Sequence, residues 1–123
     1  MPIVTFKQIE TTTLYDYIGR HITWSIKTFG EGDHLEGLLN HIEKEIQEVR
    51  AEISPVERTK ELVDIIILAI DAMWRQGFTS GEIVNMLLDK QNVNAQRNWP
   101  KITDPSKPTE HIRKNGYQTW EKE

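Results

Sequence analysis

Residues 54–73 read SPVERTKELVDIIILAIDAM. Ser54 can cap a helix, Pro55 suits its first position and Glu57 completes a capping box, so a helix is expected from here until Gly77. From Leu62 to Met73 this helix is apolar almost all round. Only Asp64 and Asp71 interrupt it, seven residues apart and on nearly the same face as Glu61, Leu68 and Arg75. A helix apolar on every side needs neighbours on every side, and three other short helices in one subunit can hardly surround it. Part of it is therefore expected to pack against a second subunit, in a dimer or a dimer of dimers.

Working outward, residues 35–53 carry Leu35, Leu38, Leu39, Ile42, Ile46, Val49 and Ile53 in one stripe, with Asp33 as a plausible cap. The short Ser54-Pro55 turn makes this helix and the next an antiparallel hairpin. From about Thr11 to Thr28, Leu14, Tyr17, Ile18, Ile22, Ile26 and Phe29 recur at helical steps until Gly30 and Gly32 intervene. Thr79-Ser80-Gly81-Glu82 repeats the capping-box pattern for a fourth helix running to about Asn98, before Trp99-Pro100. Three of the five prolines fall in residues 100–110, which predicts an extended connection and, around Thr109 to Lys114, a short final helix. No stretch alternates as a strand would. The expectation is an all-α four-helix bundle over residues 1–100 and a proline-containing tail over 101–123.

With 123 residues, 37% of them hydrophobic and 28% charged, the chain can bury one modest core. The absence of cysteine excludes disulfides, thiolate zinc sites and a cysteine nucleophile, and suits a reducing compartment. The start, MPIVTFKQIE, has neither leader nor lipidation pattern, and the longest apolar run, Ile65 to Ile70, is far short of a membrane span. A cytoplasmic protein with no membrane partner is expected. A net charge of −4 disfavours duplex nucleic acid as a partner, and a polyanion would need something to bridge the repulsion.

The chemistry should lie where amphipathicity fails. An ionised carboxylate within an apolar surface is costly unless it is paired or coordinates a cation. Asp64 alone is explained well enough by a salt bridge to Arg75 or Lys90, or by exposure near the helix end. A second carboxylate pair changes the balance. Glu45 lies at the edge of the apolar stripe of helix two, with Glu48 beside it and Glu52 and His41 on the same edge. Glu48 is six residues before Ser54 and Glu61 seven after it, so Glu45 with Glu48 and Glu61 with Asp64 can face each other at similar heights along the hairpin. Four converging carboxylates would repel unless divalent cations sat among them, and oxygen-only ligands favour Mg²⁺ or Mn²⁺. Magnesium commonly completes its shell with phosphates, which makes a nucleotide polyphosphate a natural guest.

In helix four, Ile83 and Leu87 continue at the same spacing into Lys90, Asn94 and Arg97, groups that could neutralise phosphate oxygens and orient a sugar. A plain solvated helix end explains them equally well. Trp24, near Ser25, Thr28 and Phe29, is either a core residue or a platform on which a base stacks.

Glu45-x-x-Glu48, twelve residues, then Glu61-x-x-Asp64 resembles the metal motif of the MazG-like all-α nucleoside triphosphate pyrophosphohydrolases. His21-x-x-Trp24-Ser25-x-x-Thr28-Phe29-Gly30, the VDIIILAID run with Trp74 and Arg75, and Lys90-x-x-x-Asn94-x-x-Arg97-x-Trp99-Pro100 resemble its dATP/dGTP pyrophosphohydrolase branch, over roughly residues 20 to 113. Size and motifs are also compatible with the narrower dGTP-preferring type, often called MazZ, which some phages use to make dGMP. Lys44 departs from the broader motif, which often has a further Glu there. The resemblance implies Mg²⁺-dependent hydrolysis of a purine deoxynucleoside triphosphate between its α and β phosphates. It implies two or more Mg²⁺ ions, with Mn²⁺ as a substitute, on Glu45, Glu48, Glu61 and Asp64, with Glu45 or Glu48 receiving the water's proton. By the same analogy Lys90 and Arg97 meet the phosphates, Asn94, Trp24 and Trp99 handle sugar and base, and Asp71 orients Lys90 or a metal-bound water. A pyrimidine nucleotide is the alternative substrate. A carboxylate-bridged di-iron bundle fits poorly, because the only Glu-x-x-His spacing, Glu31 to His34, falls in the glycine loop. A non-catalytic helical module would leave the matched carboxylate heights unexplained.

Overall fold

The computed structural model describes residues 12–113. It contains four helices, α1 (Leu14–Phe29), α2 (Leu35–Ala51), α3 (Pro55–Arg75) and α4 (Ser80–Gln96), and no strand among the described residues. The all-α expectation holds. None of these helices is long and apolar enough to cross a membrane.

Local chemistry explains most of the boundaries. Thr13 caps α1 by accepting from the Asp16 amide at 3.1 Å, and Gly30 ends it at φ 81°. Asp33 acts one residue earlier than a formal cap, its Oδ1 accepting from the Leu35 amide at 2.9 Å, while His34 takes the cap position. Helix α2 stops at Ala51, so Ile53, counted in the apolar stripe, lies beyond it and is 86% exposed. Ser54 caps α3 through the Glu57 amide, but the Glu57 carboxylate pairs with Lys60 at 3.2 Å. At α4 the capping box closes in both directions: Glu82 N–H donates to Thr79 Oγ1 at 3.2 Å, and Thr79 N–H to Glu82 Oε1 at 3.0 Å.

The chain divides into two compact units between Asn85 and Met86. In the first, α3 packs chiefly against α2 and secondarily against α1. Its apolar centre is Ile18, Ile70 and Ile83, flanked by Tyr17, Ile22, Trp74 and Val84. In the second, the end of α4 is tied to the segment that follows it. Trp99 Nε1 donates to the Asn94 carbonyl at 2.7 Å, its ring meets His111 edge-on, and Asn98 pairs with Ile112 through an antiparallel bridge. Residues 109–113 are not helical, and Lys114 lies outside the described residues.

Beside the apolar centre of the first unit is a buried polar knot. Asp71 Oδ1 accepts from His21 Nε2 and Trp74 Nε1, each at 2.8 Å, and from the Ser25 hydroxyl. Its Oδ2 accepts from Arg75 Nε at 2.8 Å. Burial alone would raise the Asp71 pKa, but the hydrogen bonds from Ser25, Arg75, Trp74 and His21 outweigh it and hold the group at about 2. These bonds tie α1 to α3 beside the apolar contact that Ile18 and Ile70 already make.

Asp71→Asn is expected to destabilise the protein by about 3–5 kcal/mol in urea melts, because Arg75 would keep a buried charge without its counterion. The native pKa lies below the unfolded value of roughly 3.9, so the pairing stabilises fully above about pH 4 and is lost as pH falls towards 2. The difference between wild type and Asp71→Asn should therefore shrink across that window.

Candidate active site

The hairpin places its acidic residues differently from the apolar ones around them. Glu45 is the single buried residue of α2, 6% exposed, while Leu39 on the same helix is 41% exposed. The helical wheel put Glu45 at the core boundary; packing of α2 on α3 draws it fully in. Across the hairpin Glu61 is half-buried and Asp64 exposed. One carboxylate oxygen from each of Glu45, Glu61 and Asp64 lies within 4.8 Å of the others. Glu48 is within hydrogen-bonding reach of both Glu45 and Glu61. The two pairs thus converge as their heights along the hairpin predict.

The cluster is electrostatically uncomfortable without a cation. Hydrogen bonding to Glu45 and then Glu48, with burial and their like charge, raises Glu61 to about 7. Glu45 is lowered, first by the hydrogen bond it accepts from Glu61 and despite its burial. A proton on Glu61 therefore does part of what a metal ion would do. His41 Nε2 stands 3.2 Å from Glu45 Oε1. Glu45 Oε2 is buried and has no hydrogen-bond partner. An orphaned carboxylate oxygen among further carboxylates, with no thiolate and one imidazole nearby, is a donor set that fits a hard divalent cation.

His41 also lines a groove of about 550 Å³ between α1, α2 and α3. Trp24, Phe29 and His34 form its aromatic side, and Leu38 and Leu68 its aliphatic side. Trp24 is 37% exposed and meets Phe29 edge to face, with ring centres 5.5 Å apart. It is a wall of a cleft rather than a core residue. His21, at 5.7 Å from the Trp24 ring, and Asp71 line the groove as well, both engaged in the polar knot described above. The volume is ordinary for a small-molecule site with apolar walls and a few polar groups.

The remaining candidates lie in the second unit. Arg97 Nη1 donates to Asn94 Oδ1 at 2.9 Å, Trp99 is bound to the Asn94 carbonyl, and Lys90 is exposed on α4. Asn94, Arg97 and Trp99 thus form one bonded group.

Sequence pattern alone assigns no role to His21, Ser25, His34 or His41. His21 and Ser25 follow Ile18 by three and seven residues, which places two polar side chains on its buried face, a departure as informative as that of Asp71. His41 precedes Glu45 by one helical turn. His34 gives no comparable signal.

No curated protein and no solved structure matches the chain. A family model does match, over residues 17–118, and its description is dATP/dGTP pyrophosphohydrolase. With the acidic cluster and the adjoining groove in place, this coverage establishes that the chain belongs to the dATP/dGTP pyrophosphohydrolase family and is an enzyme that hydrolyses nucleoside triphosphates.

Proposed function

We propose that the enzyme hydrolyses a purine deoxynucleoside triphosphate, dGTP, dATP or both, between the α and β phosphates, releasing the nucleoside monophosphate and pyrophosphate. The observation that carries this reading is the buried, partnerless Glu45 Oε2 in a carboxylate cluster adjoining an aromatic-walled groove. Family membership supports the reaction class.

Glu45, Glu48, Glu61 and Asp64 would hold two or more Mg²⁺ ions, for which Mn²⁺ can substitute. Such ions activate a coordinated water and neutralise charge on transferring phosphates. Glu45 or Glu48 takes the proton released when water attacks the α phosphorus. Trp24 offers its face to the base, and a groove of about 550 Å³ accommodates the two-ring purine. Lys90 and Arg97 are assigned to the phosphates, and Asn94 and Trp99 to sugar and base, on the strength of the family resemblance of the Lys90-x-x-x-Asn94-x-x-Arg97-x-Trp99 stretch. Asp71, whose partners are His21, Ser25, Trp74 and Arg75, is assigned to holding His21 in the groove lining in place of the expected hold on Lys90 or a metal-bound water. A pyrimidine nucleotide is the competing substrate. The lack of cysteine supports a cytoplasmic setting.

Leu62, Ile66 and Met73 form an apolar stripe on α3, 49%, 57% and 43% exposed. We assign it to contact with another copy of the chain, because so long an apolar stripe on a central helix is unusual on a monomer surface.

With a panel of dATP, dGTP, GTP, dUTP and dCTP, pyrophosphate release should require Mg²⁺ and favour the purine deoxynucleotides by specificity constant. Glu48→Gln and Asp64→Asn should each lower kcat by about a thousandfold while leaving the circular dichroism spectrum intact. Retained activity in both variants would defeat the metal assignment, and a marked preference for dCTP or dUTP the purine assignment.

Metal binding can also be read without substrate. For a dissociation constant of about 0.1 mM, 10 mM Mg²⁺ stabilises the fold by about 2.7 kcal/mol, visible as a rise in Tm. Glu45→Gln should abolish that rise, and it should raise the metal-free Tm above wild type because one charge leaves the cluster. In sedimentation velocity the wild type should run as a dimer or tetramer and Ile66→Glu as a smaller species.

A further inference from the structure

The first unit contains a buried cation that the reaction does not consume. The Arg75 side chain has no solvent exposure. Nε donates to Asp71 Oδ2 at 2.8 Å, and Nη2 donates to the Ser25 hydroxyl at 2.9 Å. Nη1 forks onto the carbonyls of Gly30, at 2.8 Å, and Gly32, at 3.2 Å. The guanidinium also lies 4.4 Å from the centre of the Trp74 ring. Asp71 alone would neutralise the charge. The two carbonyl contacts do something further: they tie α3 to the turn that joins α1 to α2.

That turn depends on backbone shape. Gly30 has φ 81° and Gly32 φ 108°, where L side chains are strained, and a Cβ at either position would meet nothing within 4 Å. Phe29 immediately precedes the turn and His34 follows it, and both line the groove. The opposite side is supplied by Ile67 and Leu68 of α3. The width of the groove therefore depends on how firmly the turn is held to the helix that carries Arg75.

We propose that Arg75, oriented by Asp71, is a positioning residue for nucleotide selection: its fork onto the Gly30 and Gly32 carbonyls sets the distance of Phe29 and His34 from α3, and so the size of base the groove admits. The proposal rests on the reading of the groove as the base site. Lysine presents a single point charge and cannot serve Asp71, Ser25 and two carbonyls together. The acidic cluster is remote from this device. Arg75 lies eleven residues beyond Asp64 on the same helix, roughly 16 Å along its axis.

The test uses the full chain with Arg75→Lys, and Ser25→Ala as a milder variant that removes one partner of the guanidinium. Amide hydrogen exchange is read first, without nucleotide. Exchange in residues 30–34 should quicken at least about tenfold in Arg75→Lys relative to residues 42–50, and to a smaller degree in Ser25→Ala. Unchanged exchange in both variants overturns the clamp, whatever the enzyme hydrolyses. Steady-state kinetics with Mg²⁺ come second. KM for the purine deoxynucleotides should rise about tenfold in Arg75→Lys, and the preference over dCTP should fall by a similar factor, with kcat within about threefold of wild type. A uniform loss of kcat with selectivity unchanged overturns the proposal. If wild type hydrolyses none of the three, the proposed activity fails while the exchange result stands. Quenching of tryptophan fluorescence by dGTP and dCTP then reads selection without turnover, and equal quenching by both in wild type also overturns it.

Discussion

A carboxylate taken out of water must be compensated, and the first 85 residues meet this requirement twice in opposite ways. Asp71 is compensated by the chain itself, through four side-chain donors from α1 and α3, one of them a buried arginine. Glu45 is not. Beside it stand further carboxylates and one imidazole, and its Oε2 has no partner. The first arrangement is closed and the second open. A closed network welds elements together, whereas an open one leaves a demand for positive charge unmet.

Both arrangements are written on α3. Its first half carries Glu61 and Asp64, its second half Asp71 and Arg75. A single rigid helix thus spaces the acidic cluster from the knot that anchors α1 and the glycine turn. The groove lies along the same helix, with His41 lining it and also touching the cluster at Glu45. On the proposed assignment of the groove to the base, the distance from base to acidic cluster is a property of one helix and its partner in the hairpin. The loop that does border the groove is fastened by Arg75.

The parts legible in the sequence were those set by local rules. The cap at Ser54, the capping box at Thr79, helix-breaking glycines and the hairpin arithmetic between Glu48 and Glu61 depend on neighbours within a turn or two. These placed the helices and brought the carboxylates together. Burial was less legible because it depends on which helix packs where. The Leu39 and Ile53 positions of the α2 stripe are exposed while Glu45 is buried, and Leu14 and Phe29 of the α1 stripe are exposed while His21 and Ser25 are buried. A hydrophobic wheel assigns the inside to apolar residues by construction. It cannot register that a polar side chain at a core position has found partners on another helix, as Ser25 has in Asp71 and Arg75 across a gap of some fifty residues.

The same inversion bears on how the fold is stabilised. Among the described residues, three hydrophobic residues are buried, against five polar or charged ones. Hydrophobic burial on that scale contributes little, since each fully buried isoleucine supplies only about 1.5–3 kcal/mol. The polar knot adds specificity more than net stability, because its bonds largely replace bonds to water. Meanwhile Leu62, Ile66 and Met73 keep apolar surface in reserve on the central helix. On the proposed assignments, a second copy covering that stripe and a cation satisfying Glu45 would each add stability. Assembly and metal binding would then act on the same helix, and occupancy of the site and stability of the fold would rise together.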